Sequence, residues 1–117
     1  MGRRIAEVGH VALADRLCAV CTSRTPPTRP EDAARWLGEL PQWRLEDGRL
    51  VRELRLPDFA SALAWVDALG ALAESVGHHP DLAFGWGWLR VTLWTHAIGA
   101  LSDADFVLAA KIDRVLG

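Results

Sequence analysis

The chain is poor in cysteine, with only Cys18 and Cys21 in 117 residues. Their C-x-x-C spacing has no second pair near it and no strand–helix–strand pattern around it. They are therefore expected to be two small residues on a helical segment, neither a zinc site nor a redox motif, and nothing demands an oxidising compartment. Strong charge of one sign is missing as well. Thirteen Lys and Arg stand against fifteen Asp and Glu, a formal net charge of −2, which gives no general attraction to nucleic acid or to a membrane surface. An uninterrupted apolar run is lacking at the N-terminus. The stretch MGRRIAEVGHVALADRLCAV starts basic, as an export signal does, but Glu7, Asp15 and Arg16 break its apolar part. That argues against export and against a membrane span, and the expected location is the cytoplasm. Histidine is scarce too, and three of the four lie within residues 77–96.

What is present suits a single domain: 117 residues, half hydrophobic and about a quarter charged, enough for one core. The charge is uneven. Five Arg in residues 1–30 against Glu7 and Asp15 give +3, so the remainder carries −5; such an arm reads as a solvated terminus. Residues 5–20 have the pattern of a weak amphipathic helix, and TSRTPPTRP after it reads as a linker. Residues 1–28 are thus expected to be an extension, and residues 29–117 the domain proper.

The first firm helix is expected after Thr28, with Thr28 and Glu31 at capping-box spacing and Pro30 in the first turn. It should reach about Leu40, burying Ala33, Trp36, Leu37 and Leu40, and end at Pro41. A hairpin follows: WRLE, the turn Asp47-Gly48, then RLVRELRL, with Leu50, Leu54 and Leu56 on one face and Glu53 and Arg55 on the other. Pro57-Asp58 opens a long helix whose core residues are expected to be Phe59, Leu63, Val66, Leu69, Ala73 and Val76, with Gly77 as its stop. Residues 83–95 read as one long strand or two short ones, Gly85 and Gly87 permitting a bend. A last helix runs from near Ser102 to about Val115. The order α-β-β-α-β-β-α predicts an α+β two-layer sandwich, helices packed on one face of a small antiparallel sheet.

Each histidine has an ordinary explanation taken alone; His78 and His79, for instance, sit beyond a helix end, where an imidazolium meets the negative end of the dipole. Their grouping points further. Glu74 lies one turn before His78, His96 closes the next strand region, and Asp105 follows in the first turn of the last helix. If the sheet packs on the long helix, these groups meet at one rim. Imidazoles titrate near neutral pH, so they can give a proton in one step and take one in another, and a carboxylate can fix their tautomer. Asp105 also closes SDAD, three residues after Ser102, a capping box with Ser102 as N-cap, and the two roles are compatible.

The pattern E-S-V-G-H-H-P-x5-W-x9-H-x8-D, from Glu74 to Asp105, resembles the signature of the pterin-4a-carbinolamine dehydratases. The resemblance spans about residues 29–116, including Trp43 and the LPDF before the long helix. It implies a four-stranded antiparallel α+β fold and dehydration of 4a-hydroxytetrahydropterin to quinonoid dihydropterin, without metal or cofactor. It implies that His78, His79 and His96 line the pterin site and share the proton transfers, with Asp105 orienting an imidazole. Pro80 would shape the loop, Glu74 would support it, and Trp86 and Thr95 would assist binding. It also implies a homodimer or homotetramer and an aromatic amino-acid hydroxylase as metabolic partner, with neither nucleic acid nor membrane. The chain departs from the family pattern at Leu82, where many members have tryptophan, at Trp86, where tyrosine is common, and at Ala100-Leu101, where Gly-Leu is expected. Two alternatives stand beside this reading: a non-enzymatic assembly module with residues 1–28 as its arm, and a metal-dependent enzyme using His78 or His79 with His96 and Asp105.

Overall fold

The computed structural model describes residues 11–117. Three α-helices, α1 (Pro30–Leu37), α2 (Phe59–Val76) and α3 (Asp103–Leu116), pack on a sheet of four strands, β1 (Arg44–Glu46), β2 (Arg49–Arg55), β3 (Asp81–Gly85) and β4 (Trp88–Leu93). The order is the one the sequence predicts, and the fold is an α+β sandwich. All pairings are antiparallel and the strands lie in the order β1-β2-β4-β3.

The hairpin turn is set by Asp47 and Gly48, both at positive φ (51° and 73°) as a two-residue loop of this twist requires. In register, Leu50 faces Leu93, Arg52 faces Val91 and Leu54 faces Leu89. Leu50, Leu89, Val91 and Leu93 are fully buried beneath the helices. Arg52 falls on this inner face between Leu50 and Leu54. It is accommodated because Asp113 of α3 accepts from its Nη1 at 2.5 Å, and Asp113 also accepts from Trp43 Nε1 at 2.7 Å. The outer face carries Arg44, Glu53 and Arg90, with Arg44 and Glu53 paired at 2.6 Å. Residues 83–95 form part of two short strands, turned at Trp86-Gly87, where Gly87 has φ 78°.

Helix α3 is the centre of the helical layer: Ala104 through Ala109 and Ile112 are buried. Trp36 of α1 packs on Phe106 at 5.6 Å. Thr28 does not cap α1. Its amide donates to Leu101 O and its hydroxyl to Asp103 Oδ1, a charged acceptor that outcompetes the capping role, so Arg29 takes the cap position without a side-chain bond. The helix also ends earlier than expected, at Leu37; tighter turns carry the chain on to buried Leu40 and Trp43.

Helix α2 starts where Asp58 accepts from the Ser61 amide at 2.8 Å and stops at Gly77, φ 73°. Its buried stripe is Ala62, Leu69 and Ala73. Phe59 and Leu63, expected in the core, are instead 43% and 50% exposed; the helix is apolar nearly all round, so periodicity could not choose its inner face. Its 18 residues average a hydropathy of 1.3, enough in length and composition for a membrane span, yet one side packs on the sheet and α3.

The expected helix over residues 5–20 is not formed in its described part; residues 5–10 lie outside the described residues. Residues 11–20 hold only a 3-10 turn at Leu13–Asp15. Leu13 is buried in the main core, whereas Leu17 is 94% exposed. The segment follows α3: Lys111 donates to Ala14 O, Arg114 pairs with Asp15, and Cys18 donates to Ala104 O. A strap fastened at separate points cannot also satisfy a helical repeat.

Candidate active site

Gly77 ends α2 in the left-handed conformation, its amide bonded to Ala73 O. The reversal sends His78 inward and leaves His79 outward, so two adjacent histidines have opposite environments. His78 is buried, and its Nε2 lies 2.6 Å from Asp105 Oδ1. Asp105 is fully buried at the start of α3. Its Oδ2 accepts from Thr95 Oγ1 at 2.7 Å and from the Ser102 amide at 2.9 Å. Asp105 therefore closes the capping box and holds His78 with its two oxygens; both roles read from sequence are filled. Thr95 ends the β4 region, bridged to Ala100 across a tight turn, and its hydroxyl meets Ser102 Oγ at 2.6 Å.

His79 is 58% exposed and its Nε2 pairs with Glu74 Oε2, one turn back on α2. His96 sits on the turn after β4, also 56% exposed, with Nε2 3.9 Å from Asp81 Oδ1. The Trp94 ring lies 4.1 Å from the His96 ring and its Nε1 donates to Asp81 Oδ2 at 3.0 Å. The Arg49 guanidinium lies over the Trp94 ring, 3.8 Å from its centre.

An open cleft of about 210 Å³ joins these groups, lined by Cys21, His78, His79, Trp94, Thr95 and His96 among others. The structure thus brings the three imidazoles to one rim, with Asp105 behind His78 and Glu74 beside His79. Pro80 links His79 to β3. Trp86 is not in the cleft. It is 74% exposed in the β3–β4 turn, at the opposite end of the hairpin from Asp81 and Thr92. Five residue steps along an extended strand from Asp81 carry it about 17 Å away. Leu82 faces inward opposite Val91, part of the core rather than of the rim.

Asp81, Trp94 and Cys21 belong to the site, although the sequence reading did not select them. Asp81 and Trp94 carried a signal, since both stand within two residues of a site position. Cys21 carried none; only the path of the strap places it here. Each imidazole Nε2 has a different carboxylate neighbour, and among the described residues no three His, Cys, Asp or Glu side chains are grouped as a metal ion would need.

A protein-family model described as Pterin 4 alpha carbinolamine dehydratase matches residues 26–115. The chain belongs to this family. A provisionally named pterin-4-alpha-carbinolamine dehydratase of Aromatoleum aromaticum is 47% identical over 103 residues, 86% of this chain and 92% of that one. Another, of Alkaliphilus metalliredigens, is 40% identical over 104 residues, 87% of this chain and 94% of its own. Among solved structures, one described as a transcriptional coactivator/pterin dehydratase from Brucella melitensis superposes with a TM-score of 0.72 at 23% identity, over 79% of this chain and all of that one. A pterin dehydratase-like protein described as a RuBisCO assembly factor in the alpha-carboxysome gives 0.53 at 29% identity, covering 64% and 87%. The dehydratase-family match begins at residue 26, so the part of the strap carrying Leu13, Cys18 and Cys21 lies ahead of it.

Proposed function

We propose that this chain removes water from a 4a-hydroxytetrahydropterin to give quinonoid dihydropterin. The observation that carries the proposal is the meeting of His78, His79 and His96 at one cleft from the end of α2 and the end of β4, with buried Asp105 behind His78. The reaction needs two proton transfers and no redox step. A base takes the N5 proton, the C4a–O bond breaks as an acid protonates the departing hydroxyl, and the N5–C4a bond becomes double. The products are quinonoid dihydropterin and water, and the two transfers balance.

His79 and His96 stand at the rim where an entering ring system meets them, and they are assigned the two transfers. Glu74 steadies His79, and Asp81 with Trp94 steadies His96. His78 lies further in; with Asp105 accepting from Nε2, its proton is held there and Nδ1 carries the lone pair. Trp94 offers an apolar wall for a bicyclic ring. The proposed chemistry uses no metal and no cofactor. The proposal extends to a cytoplasmic homodimer or homotetramer joined through the exposed apolar side of α2, at Phe59 and Leu63, and to an aromatic amino-acid hydroxylase as the source of substrate.

The test is direct. Substrate generated by such a hydroxylase should convert faster in the presence of purified protein, read as appearance of quinonoid dihydropterin; a rate equal to the spontaneous one overturns the proposal. A second reading, an assembly module without turnover, is favoured by the neighbour described as a RuBisCO assembly factor. Under that reading the protein would leave the spontaneous rate unchanged yet co-elute with a partner.

A further inference from the structure

We infer that Cys21 is a positioning residue of the site, the outermost donor of a directed hydrogen-bond chain that runs through Ser102, Thr95 and Asp105 to His78. The inference rests on the dehydratase reading for its catalytic consequence, and on geometry for the chain itself. Asp105 faces His78 Nε2 with Oδ1 and accepts two bonds at Oδ2, from Thr95 Oγ1 and from the Ser102 amide. Thr95 has a single hydroxyl hydrogen, and Asp105 takes it. At the 2.6 Å contact between Thr95 Oγ1 and Ser102 Oγ, Ser102 must therefore donate. Its hydrogen is then used as well, and Ser102 Oγ can only accept from Cys21 Sγ, which lies 3.6 Å away. The thiol also lies 4.0 Å from Thr95 Oγ1, and its competing acceptor, Ala19 O, is 3.7 Å away. Each member of such a series polarises the next, so the thiol orients the hydroxyls that hold Asp105 and, through it, His78.

The same side chain lines the cleft beside the three histidines. Cys21 is held there from both sides. Upstream, Cys18 donates to Ala104 O and Lys111 to Ala14 O; downstream, Thr28 bonds Leu101 O and Asp103. The strap thus closes over the start of α3, the part of the helix that carries Ser102 and Asp105. The two thiols differ. Cys18 packs against the core, and burial pushes it up to about 11, which suppresses its thiolate; Cys21 lines the cleft.

Methyl methanethiosulfonate, which replaces the thiol hydrogen with a small S–CH3 group, tests this on the intact protein. Complete modification at Cys21, verified by mass, should lower kcat/KM by roughly tenfold or more, since it removes the donor and narrows the cleft. Cys21→Ala should lower kcat by a few-fold and displace the acid limb of the kcat pH profile, and Cys21→Ser should restore both. Wild-type kcat, KM and pH profile in the modified protein and in Cys21→Ala overturn the inference while leaving the dehydratase reading intact. Pterin binding, read by tryptophan quenching, separates the two further. Binding in the wild type that is weakened by the modification, without turnover, supports the placement of Cys21 and overturns only the dehydratase reading; absence of pterin binding overturns both.

Discussion

At the residue scale the candidate site divides into buried side chains that hold shape and exposed ones at its rim. His79 and His96 are more than half exposed and support little of the fold. His79→Ala or His96→Ala is expected to cut dehydration by roughly 10²-fold, as for a lost acid or base group, with the melting temperature almost unmoved. Asp105 behaves differently, because it is buried with three partners. Asp105→Asn sets an amide donor against a donor whichever way it turns, His78 Nε2 on one side or Thr95 and the Ser102 amide on the other, so it should both lower kcat and destabilise by about 1–3 kcal/mol in urea unfolding. Loss of activity with unchanged stability would contradict the structural half of its role. The meeting of His78 with Asp105 was legible from their spacing. Trp86 was misplaced, because a position in a motif says nothing about which end of a hairpin faces the site. Arg52 was overlooked for a related reason: its partner Asp113 lies far along the chain.

At the scale of single elements, the ends of α2 carry the consequences. Gly77 adopts φ 73°, and a Cβ there would meet nothing within 4 Å. Gly77→Ala should thus cost about 1 kcal/mol of left-handed strain with no clash, and it should lower kcat because this residue aims both histidines. At the other end, the Ser61 amide hydrogen bond holds the Asp58 carboxyl below its ordinary value of 3.8. A depressed carboxyl contributes its stabilisation above the unfolded value and loses it as pH falls through the folded one. Asp58→Asn, which can still cap, should therefore be the less stable of the two at neutral pH, with the gap shrinking below pH 3.8 and closing only once the pH has fallen through the folded-state value. A gap that persists unchanged under acid would remove Asp58 as the cause. The hairpin, the two caps of α2 and the start of α3 could be read from sequence because turn and cap chemistry are local. The start of α1 and the inner face of α2 could not: one depends on what Thr28 finds at the start of α3, the other on a helix whose sides are almost equally apolar.

At the scale of the whole molecule, the strap and the exposed side of α2 are the features that chain order conceals. Leu13 belongs to the core though it lies ahead of the family-matched residues. Leu13→Ala is expected to destabilise the protein by about 2–4 kcal/mol, measured by chemical unfolding, whereas a free extension would show no effect. Leu63, half exposed on α2, tests the proposed assembly: Leu63→Glu should shift the mass in light scattering toward the monomer without loss of secondary structure. Unchanged mass would place the interface elsewhere. The sequence by itself determined the elements, their order and the histidine set, since turn residues, caps and alternation act over a few positions. Only the tertiary structure decided that Cys21 joins the site, that Trp86 leaves it and that Phe59 and Leu63 face outward. Burial and hydrogen-bond partnership depend on residues distant along the chain, and no local periodicity encodes them.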